Sequence, residues 1–207
     1  MRIIVFGDSI TYGAWDPESG WVDRLRKELD KRNLSDPDAY YLIYNLGIDG
    51  DTSDGILKRF DNEVKPRLWP GEETVVIFAL GTNDSAFVKD KQSQLVPPKR
   101  FKSNLRGLIK MARKYATRVV FIGPQTCTDS KTNPVPWKLD LSYRSDSMRK
   151  YNRLMKETCK SVMFIDLQSK IPNSARLLYD DGLHPNQAGH IKIFNVVKEY
   201  LIANRIL

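Results

Sequence analysis

The stretch Ile3-Ile4-Val5-Phe6-Gly7-Asp8-Ser9 decides the fold of this chain. Four consecutive apolar residues, three of them β-branched, read as a strand buried on both faces, the pattern of a parallel sheet covered by helices. Gly7 then lets the backbone turn sharply. The turn carries the Ser9 hydroxyl to the carboxyl edge of the sheet, where open α/β sheets place their ligands. That is a position suited to a nucleophile.

A serine hydroxyl is a weak nucleophile until a base accepts its proton. The chain has only two histidines, His184 and His190, so the search for that base is short. His184 lies in Asp180-Asp181-Gly182-Leu183-His184-Pro185. In a turn marked by Gly182 and Pro185, an acid three residues earlier can fold back onto one ring nitrogen and leave the other facing outward. His190 falls on the expected last helix and reads as structural or exposed.

Other runs show the same rhythm of strand, turn and helix. Strands are predicted over 40–45, 74–80, 118–122 and 162–165, with Thr74-Val75-Val76-Ile77-Phe78-Ala79-Leu80 the most strand-like and central. Between them, Trp21, Leu25 and Leu29 form the buried stripe of a helix capped by Ser19. Met148, Tyr151, Met155 and Cys159 mark a helix over 143–160. A last helix, capped by Asn186, carries Ile191, Phe194, Val197 and Leu201. Right-handed crossovers then imply a three-layer α/β sandwich. Its five-stranded parallel sheet takes the flavodoxin-like order 2-1-3-4-5, with helices on both faces.

Four motifs recur in order along this frame: Gly7-Asp8-Ser9, Asn45-Leu46-Gly47, Gly81-Thr82-Asn83-Asp84 and Asp181-Gly182-Leu183-His184-Pro185. Together they resemble the SGNH or GDSL hydrolases, over Ile3 to His184. The resemblance implies a single domain, 1–207, that cleaves esters through an acyl-enzyme. Ser9 is then the nucleophile, His184 the base and Asp181 its orienter, with Asp180 the less suitable acid because the family's spacing selects the residue three before the histidine. The oxyanion hole would consist of the backbone N–H groups of Ser9 and Gly47 and the side-chain amide of Asn83. An uncharged amide suits a site where negative charge appears only transiently. Asp84 is left to build the turn. No G-x-S-x-G elbow, Walker motif or dinucleotide glycine pattern is present, which disfavours an ordinary α/β-hydrolase or nucleotide-binding reading.

Three functional readings remain at this level. The first is a short-chain or carbohydrate O-acetyl esterase, favoured by the small domain. The second is a lysophospholipase or acyl-thioesterase, and the third, from a different class, is a non-catalytic ligand-binding relative. No cofactor and no metal are expected. Asp49-Gly50-Asp51-Thr52-Ser53-Asp54-Gly55 is acid-rich, but an EF-hand register fails at Asp54 and Phe60, and helix capping before Ile56, Leu57 and Phe60 explains it better.

The 207 residues carry 41% hydrophobic and 10% aromatic side chains, enough for one sizeable core. Cys127 and Cys159 have neither metal-ligand spacing nor a disulfide framework, and a reduced compartment is the easier reading. With a strand starting at residue 2 or 3, the chain as written reads as cytoplasmic, with no stable membrane insertion. The net charge of +8 is concentrated in Lys99, Arg100, Lys102, Arg106, Lys110, Arg113 and Lys114. Phe101, Leu105, Leu108, Ala112 and Tyr115 recur on the opposite face, so this is an amphipathic helix with a solvated cationic back, and no nucleic-acid-binding signature accompanies it. Tyr12 and Trp15 either wall a substrate pocket or simply pack. The stretch 125–140, with Pro134, Pro136 and Trp137, is long for an α/β connection and reads either as a lid or as a loop pinned by its indole.

Overall fold

A computed structural model describes all residues, Met1–Leu207. In chain order the elements are β1 (Arg2–Gly7), α1 (Ser9–Tyr12), α2 (Gly20–Ser35), β2 (Leu42–Gly47), α3 (Ser53–Val64), β3 (Thr74–Ala79), β4 (Phe87–Val88) and β5 (Ser93–Gln94). They continue with α4 (Pro98–Ala112), β6 (Arg118–Ile122), α5 (Asp129–Thr132), β7 (Leu141–Ser142), α6 (Ser145–Thr158), β8 (Met163–Ile165), α7 (Leu167–Lys170) and α8 (Gln187–Ala203).

The main sheet is parallel, in the order β2-β1-β3-β6-β8, the expected doubly wound arrangement. Side chains alternate across it, as a pleated strand requires. Ile4, Phe6, Val76, Phe78 and Phe121 enter a core with α3, α4 and α6, while Ile3, Val5, Val75, Ile77 and Val120 enter a second core with α2 and α8. Both faces of β1 are therefore fully buried, which is why its sequence is continuously apolar rather than alternating.

The register aligns the strand ends. Gly7 pairs with Gly47 on one side and with Ala79 on the other, so the segments beginning at Asp8, Ile48 and Leu80 leave the sheet at one level. This alignment assembles residues distant in sequence. No helix is long and apolar enough to cross a membrane.

Several expectations shift in detail. The polar stretch 87–98 forms β4 and β5, which join β7 in a small antiparallel sheet in the order β5-β4-β7. This sheet and the 125–140 segment cover a third core of Ala86, Val88, Cys127, Val135, Leu141, Tyr143, Met148 and Leu183. Ser19 precedes α2 but caps nothing with its side chain; Asp16 instead accepts the N–H groups of Glu18 and Gly20 at 3.1 and 3.2 Å. On α8 the Asn186 cap is present, accepting Gly189 N–H at 3.0 Å. Val197 and Leu201 are buried as expected and Phe194 is half-buried, but at the start of the helix the buried positions are His190 and Ile193, one residue earlier than the pattern read in the sequence, so Ile191 faces solvent. On α4 the stripe of Phe101, Leu105, Leu108 and Ala112 is buried as expected.

Candidate active site

The turn after β1 is held by its own residues. The Asp8 carboxylate accepts Ile10 N–H at 3.0 Å and so caps α1, leaving Ser9 as the first residue of the helix. Ser9 N–H, in the first turn, makes no hydrogen bond within the chain. The Asp8 carboxyl is raised to about 6, because burial outweighs the stabilising helix N–H groups and the nearby His184 ring.

Ser9 and His184 meet across 175 positions of sequence, with Ser9 Oγ 3.0 Å from His184 Nε2. On the other side of the ring, His184 Nδ1 lies 2.6 Å from Asp181 Oδ2. The second Asp181 oxygen accepts the N–H groups of Leu183 and His184 at 2.8 and 3.0 Å. Burial alone would raise the Asp181 carboxyl, but these three hydrogen bonds together hold it below its ordinary value. An ionised carboxylate on Nδ1 selects the tautomer whose Nε2 accepts the serine proton. Asp180 turns outward toward Lys131, 3.7 Å away.

These residues line a cavity of about 440 Å³. Ile10, Leu141, Leu183 and the indoles of Trp15 and Trp137 supply its apolar wall. Asn83 also lines it and is 5% exposed. Its amide is clamped on two sides: Tyr143 OH donates to Oδ1 at 2.8 Å, and Nδ2 donates to the Asp51 carbonyl at 2.9 Å. Those bonds fix the orientation of the amide and leave the second Nδ2 hydrogen free. Burial, the largest effect, pushes the Tyr143 phenol well above its ordinary value and keeps it a donor.

Gly47 departs from its expected role. Its N–H donates to Asn45 Oδ1 at 3.1 Å, and it does not line the cavity. A Cβ on Gly47 would lie 2.2 Å from the Tyr12 nitrogen, so its lack of a side chain serves the close approach of β2 to the α1 turn. Three residues later, Gly50 lines the cavity with φ +70°, open space around its Cα and an N–H unpaired within the chain. The unpaired N–H that faces the cavity therefore lies three residues farther along the β2–α3 loop than Gly47. A second glycine in that loop was the available signal; Tyr143, in the link between β7 and α6, had none.

Asp84 does more than close a turn. It is fully buried, and its Oδ1 accepts both the N–H of Ser53, at 3.0 Å, and the Ser53 hydroxyl. Asn104 on α4 donates in turn to Ser53 Oγ and Asp54 Oδ1, each at 2.8 Å. This network ties the start of α3 to the β3 loop, and with it the segment that carries Gly50 and the Asp51 carbonyl. Burial raises the Asp84 carboxyl to about 7.

The remaining reactive side chains stand apart. Burial pushes both cysteine thiols up to about 12, so neither is a thiolate at neutral pH. His190 is fully buried with neither ring nitrogen hydrogen-bonded, and burial pulls it down to about 4.

The chain is similar to known proteins. Over 127 residues the chain is 31% identical to Esterase TesA of Pseudomonas aeruginosa, a match spanning 60% of this chain and 55% of that one. It is 26% identical over 201 residues to the isoamyl acetate-hydrolyzing esterase of Schizosaccharomyces pombe, covering 95% of this chain and 73% of the other. In fold it is similar to a catalytic mutant of Axe2, an acetylxylan esterase from Geobacillus stearothermophilus. That structure superposes with a TM-score of 0.72 at 19% identity, covering 96% of this chain and 92% of that one. The GDSL-like lipase/acylhydrolase family matches residues 5–191, which include the Ser9 turn, the Asn83 loop and the His184 loop. The chain belongs to the GDSL-like lipase/acylhydrolase family.

Proposed function

We propose that this protein is a serine esterase that removes short acyl groups, acetyl above all, through an acyl-enzyme. The observation that carries this reading is the relay Ser9 Oγ, His184 and Asp181, at 3.0 and 2.6 Å, opening on a cavity of about 440 Å³. His184 Nε2 takes the Ser9 proton as Oγ attacks the ester carbonyl carbon. The same proton then passes to the leaving alkoxide oxygen as the carbon–oxygen bond breaks, and the acyl group stays on Ser9. Water, deprotonated by His184, attacks that acyl carbon; the acid departs and the proton returns to Ser9.

Negative charge on the carbonyl oxygen is met by the Ser9 N–H, the Gly50 N–H and the free Asn83 amide hydrogen. We replace Gly47 with Gly50 in this role because the Gly47 N–H is already engaged. Donors fixed before the reaction stabilise the transition state without reorganising, and loss of one costs about a hundred- to a thousandfold in turnover. The surroundings of the cavity support the short-acyl preference. The cavity next to it, which shares Ile10 and Thr82 with it, has a volume of only about 20 Å³, and the one past Trp15 is lined mostly by polar residues. Neither extends the apolar wall into a channel for a long acyl chain. The esterase names of the relatives support the reaction class, and the acetyl group in two of those names supports the acyl length.

The test is hydrolysis of aryl esters from acetyl to dodecanoyl. A short-chain optimum is expected, with rates in Ser9→Ala and His184→Ala lower by about a thousandfold or more. Wild-type turnover by a folded Ser9→Ala protein would sink the assignment. A dodecanoyl optimum would favour the lysophospholipase or acyl-thioesterase reading instead.

A further inference from the structure

Trp15 stands between two cavities. One is the Ser9 cavity; the other, about 470 Å³, is lined by Tyr12, Ser19, Asp23 and Asn45. Trp15 is 67% exposed and adopts φ +66°, a left-handed conformation that a bulky side chain rarely takes. Its carbonyl is held there by the Tyr179 hydroxyl. The indole edge stands over the His184 ring, centroid to centroid 6.0 Å. A large apolar side chain left exposed on a backbone conformation it disfavours, beside the reacting base, marks a ligand contact rather than packing.

Its location selects which part of the ester it touches. The leaving oxygen receives its proton from His184 Nε2, so the alcohol portion departs on the His184 side, where Trp15 stands. Beyond the indole, the second cleft offers the exposed Tyr12 ring, 63% accessible, with the Asp23 carboxylate and Ser19 hydroxyl as polar groups. Asp16, also at the cleft, is occupied by Arg24 at 2.9 Å and by two backbone N–H groups. Asp23 forms no ion pair and no side-chain hydrogen bond in the fold, which leaves it available to accept from a ligand.

We propose that this cleft binds the alcohol portion of the substrate, and that this portion is a hydroxyl-rich ring, a sugar, laid against the Trp15 indole. A pyranose ring presents axial C–H groups to an aromatic face and hydroxyl donors around its rim. Trp15 with Tyr12 meets the first need; Asp23 and Ser19 meet the second. A cationic alcohol, the other ligand that aromatics and a carboxylate attract, would meet only the single free carboxylate of Asp23, because Arg24 already neutralises Asp16. The proposal names the substrate class of the esterase reading above and rests on it for the direction in which the alcohol leaves.

Three esters discriminate: the 6-acetate of methyl β-D-glucopyranoside, ethyl acetate and acetylcholine. In the wild type, kcat/KM for the glucoside acetate is expected to exceed that for ethyl acetate by tenfold or more. Trp15→Gly removes the ring at a φ that glycine accepts, and should lower that ratio about tenfold; Asp23→Asn should lower it severalfold. A ratio unchanged in both variants overturns the proposal, as does a preference for acetylcholine that Asp23→Asn abolishes. Binding of free methyl β-D-glucopyranoside to the Ser9→Ala protein is read separately, by the NMR shift of the Trp15 indole N–H. Binding in the millimolar range supports the cleft even if no ester is cut, which would sink only the esterase reading. No binding by a protein that does cut esters overturns the sugar subsite alone.

Discussion

At the scale of single residues, the two glycines of the β2–α3 loop should separate cleanly. Gly47→Ala drives a Cβ to within 2.2 Å of backbone that cannot yield, and should cost about 3 kcal/mol of stability, measured by urea denaturation. Gly50→Ala meets open space and pays only for φ +70°, about 1–2 kcal/mol. Equal losses would mean that Gly47 is not a packing position. Tyr143 acts one step behind Asn83. Tyr143→Phe should leave the fold intact and lower kcat with KM little changed, because the released amide no longer aims its free hydrogen. Asn83→Ala should lower kcat by about a hundred- to a thousandfold. If Tyr143→Phe turns over like wild type, the clamp on Asn83 is dispensable.

At the scale of elements, α3 is the part that positions the donor loop, and Arg59 is its anchor. The guanidinium pairs with Asp51 at 2.8 Å and Glu63 at 3.0 Å, and donates to the Leu46 carbonyl at 2.8 Å. It also stacks over Phe6, 5.2 Å from the ring centroid. With only 14% of this side chain accessible, Arg59→Leu leaves a mostly buried Asp51 unpaired and should cost about 3–5 kcal/mol in chemical denaturation. A loss below about 1 kcal/mol would show the pair behaving as a surface ion pair. Elements were legible in the sequence where the apolar pattern is regular, unbroken in β1 and periodic along one face in α2 and α4. The start of α3 was legible only as generic capping, since its stabilising partner, Asp84, lies 31 positions away from Ser53. The small sheet of β4, β5 and β7 was not legible, because two-residue strands have no periodicity to read.

At the scale of the whole molecule, buried ionisable groups shape stability against pH from both sides. His190, at about 4 in the fold against 6.5 in an open chain, is neutral when buried, so the unfolded state binds more protons between those values. Stability should therefore fall as pH drops from 6.5 to 4, by roughly 3 kcal/mol from this residue, and His190→Leu should flatten that limb. Asp84 acts in the opposite direction. Its folded value of about 7 against 3.8 means that its contribution is complete below 3.8 and is lost as pH rises toward and through 7. The melting temperature of Asp84→Asn relative to wild type should accordingly climb between pH 5 and pH 8. A difference between the two proteins that does not change with pH would place the Asp84 charge outside the stability balance.

The layered α/β sheet could be read from the chain alone, because strand burial is a local property written in adjacent residues; Ser9, Asp181 and His184, with 175 positions between the first and the last, were grouped through the motifs' resemblance to the SGNH or GDSL hydrolases. The same resemblance singled out Asn83. Which glycine faces the cavity, what clamps the Asn83 amide and where Trp15 stands became visible in the folded molecule alone. Those outcomes depend on register and on side chains meeting from distant loops: Gly7 level with Gly47 places Gly50 beyond the strand end, and Tyr143 reaches Asn83 across 60 positions. Periodicity carries no information about such meetings; packing does.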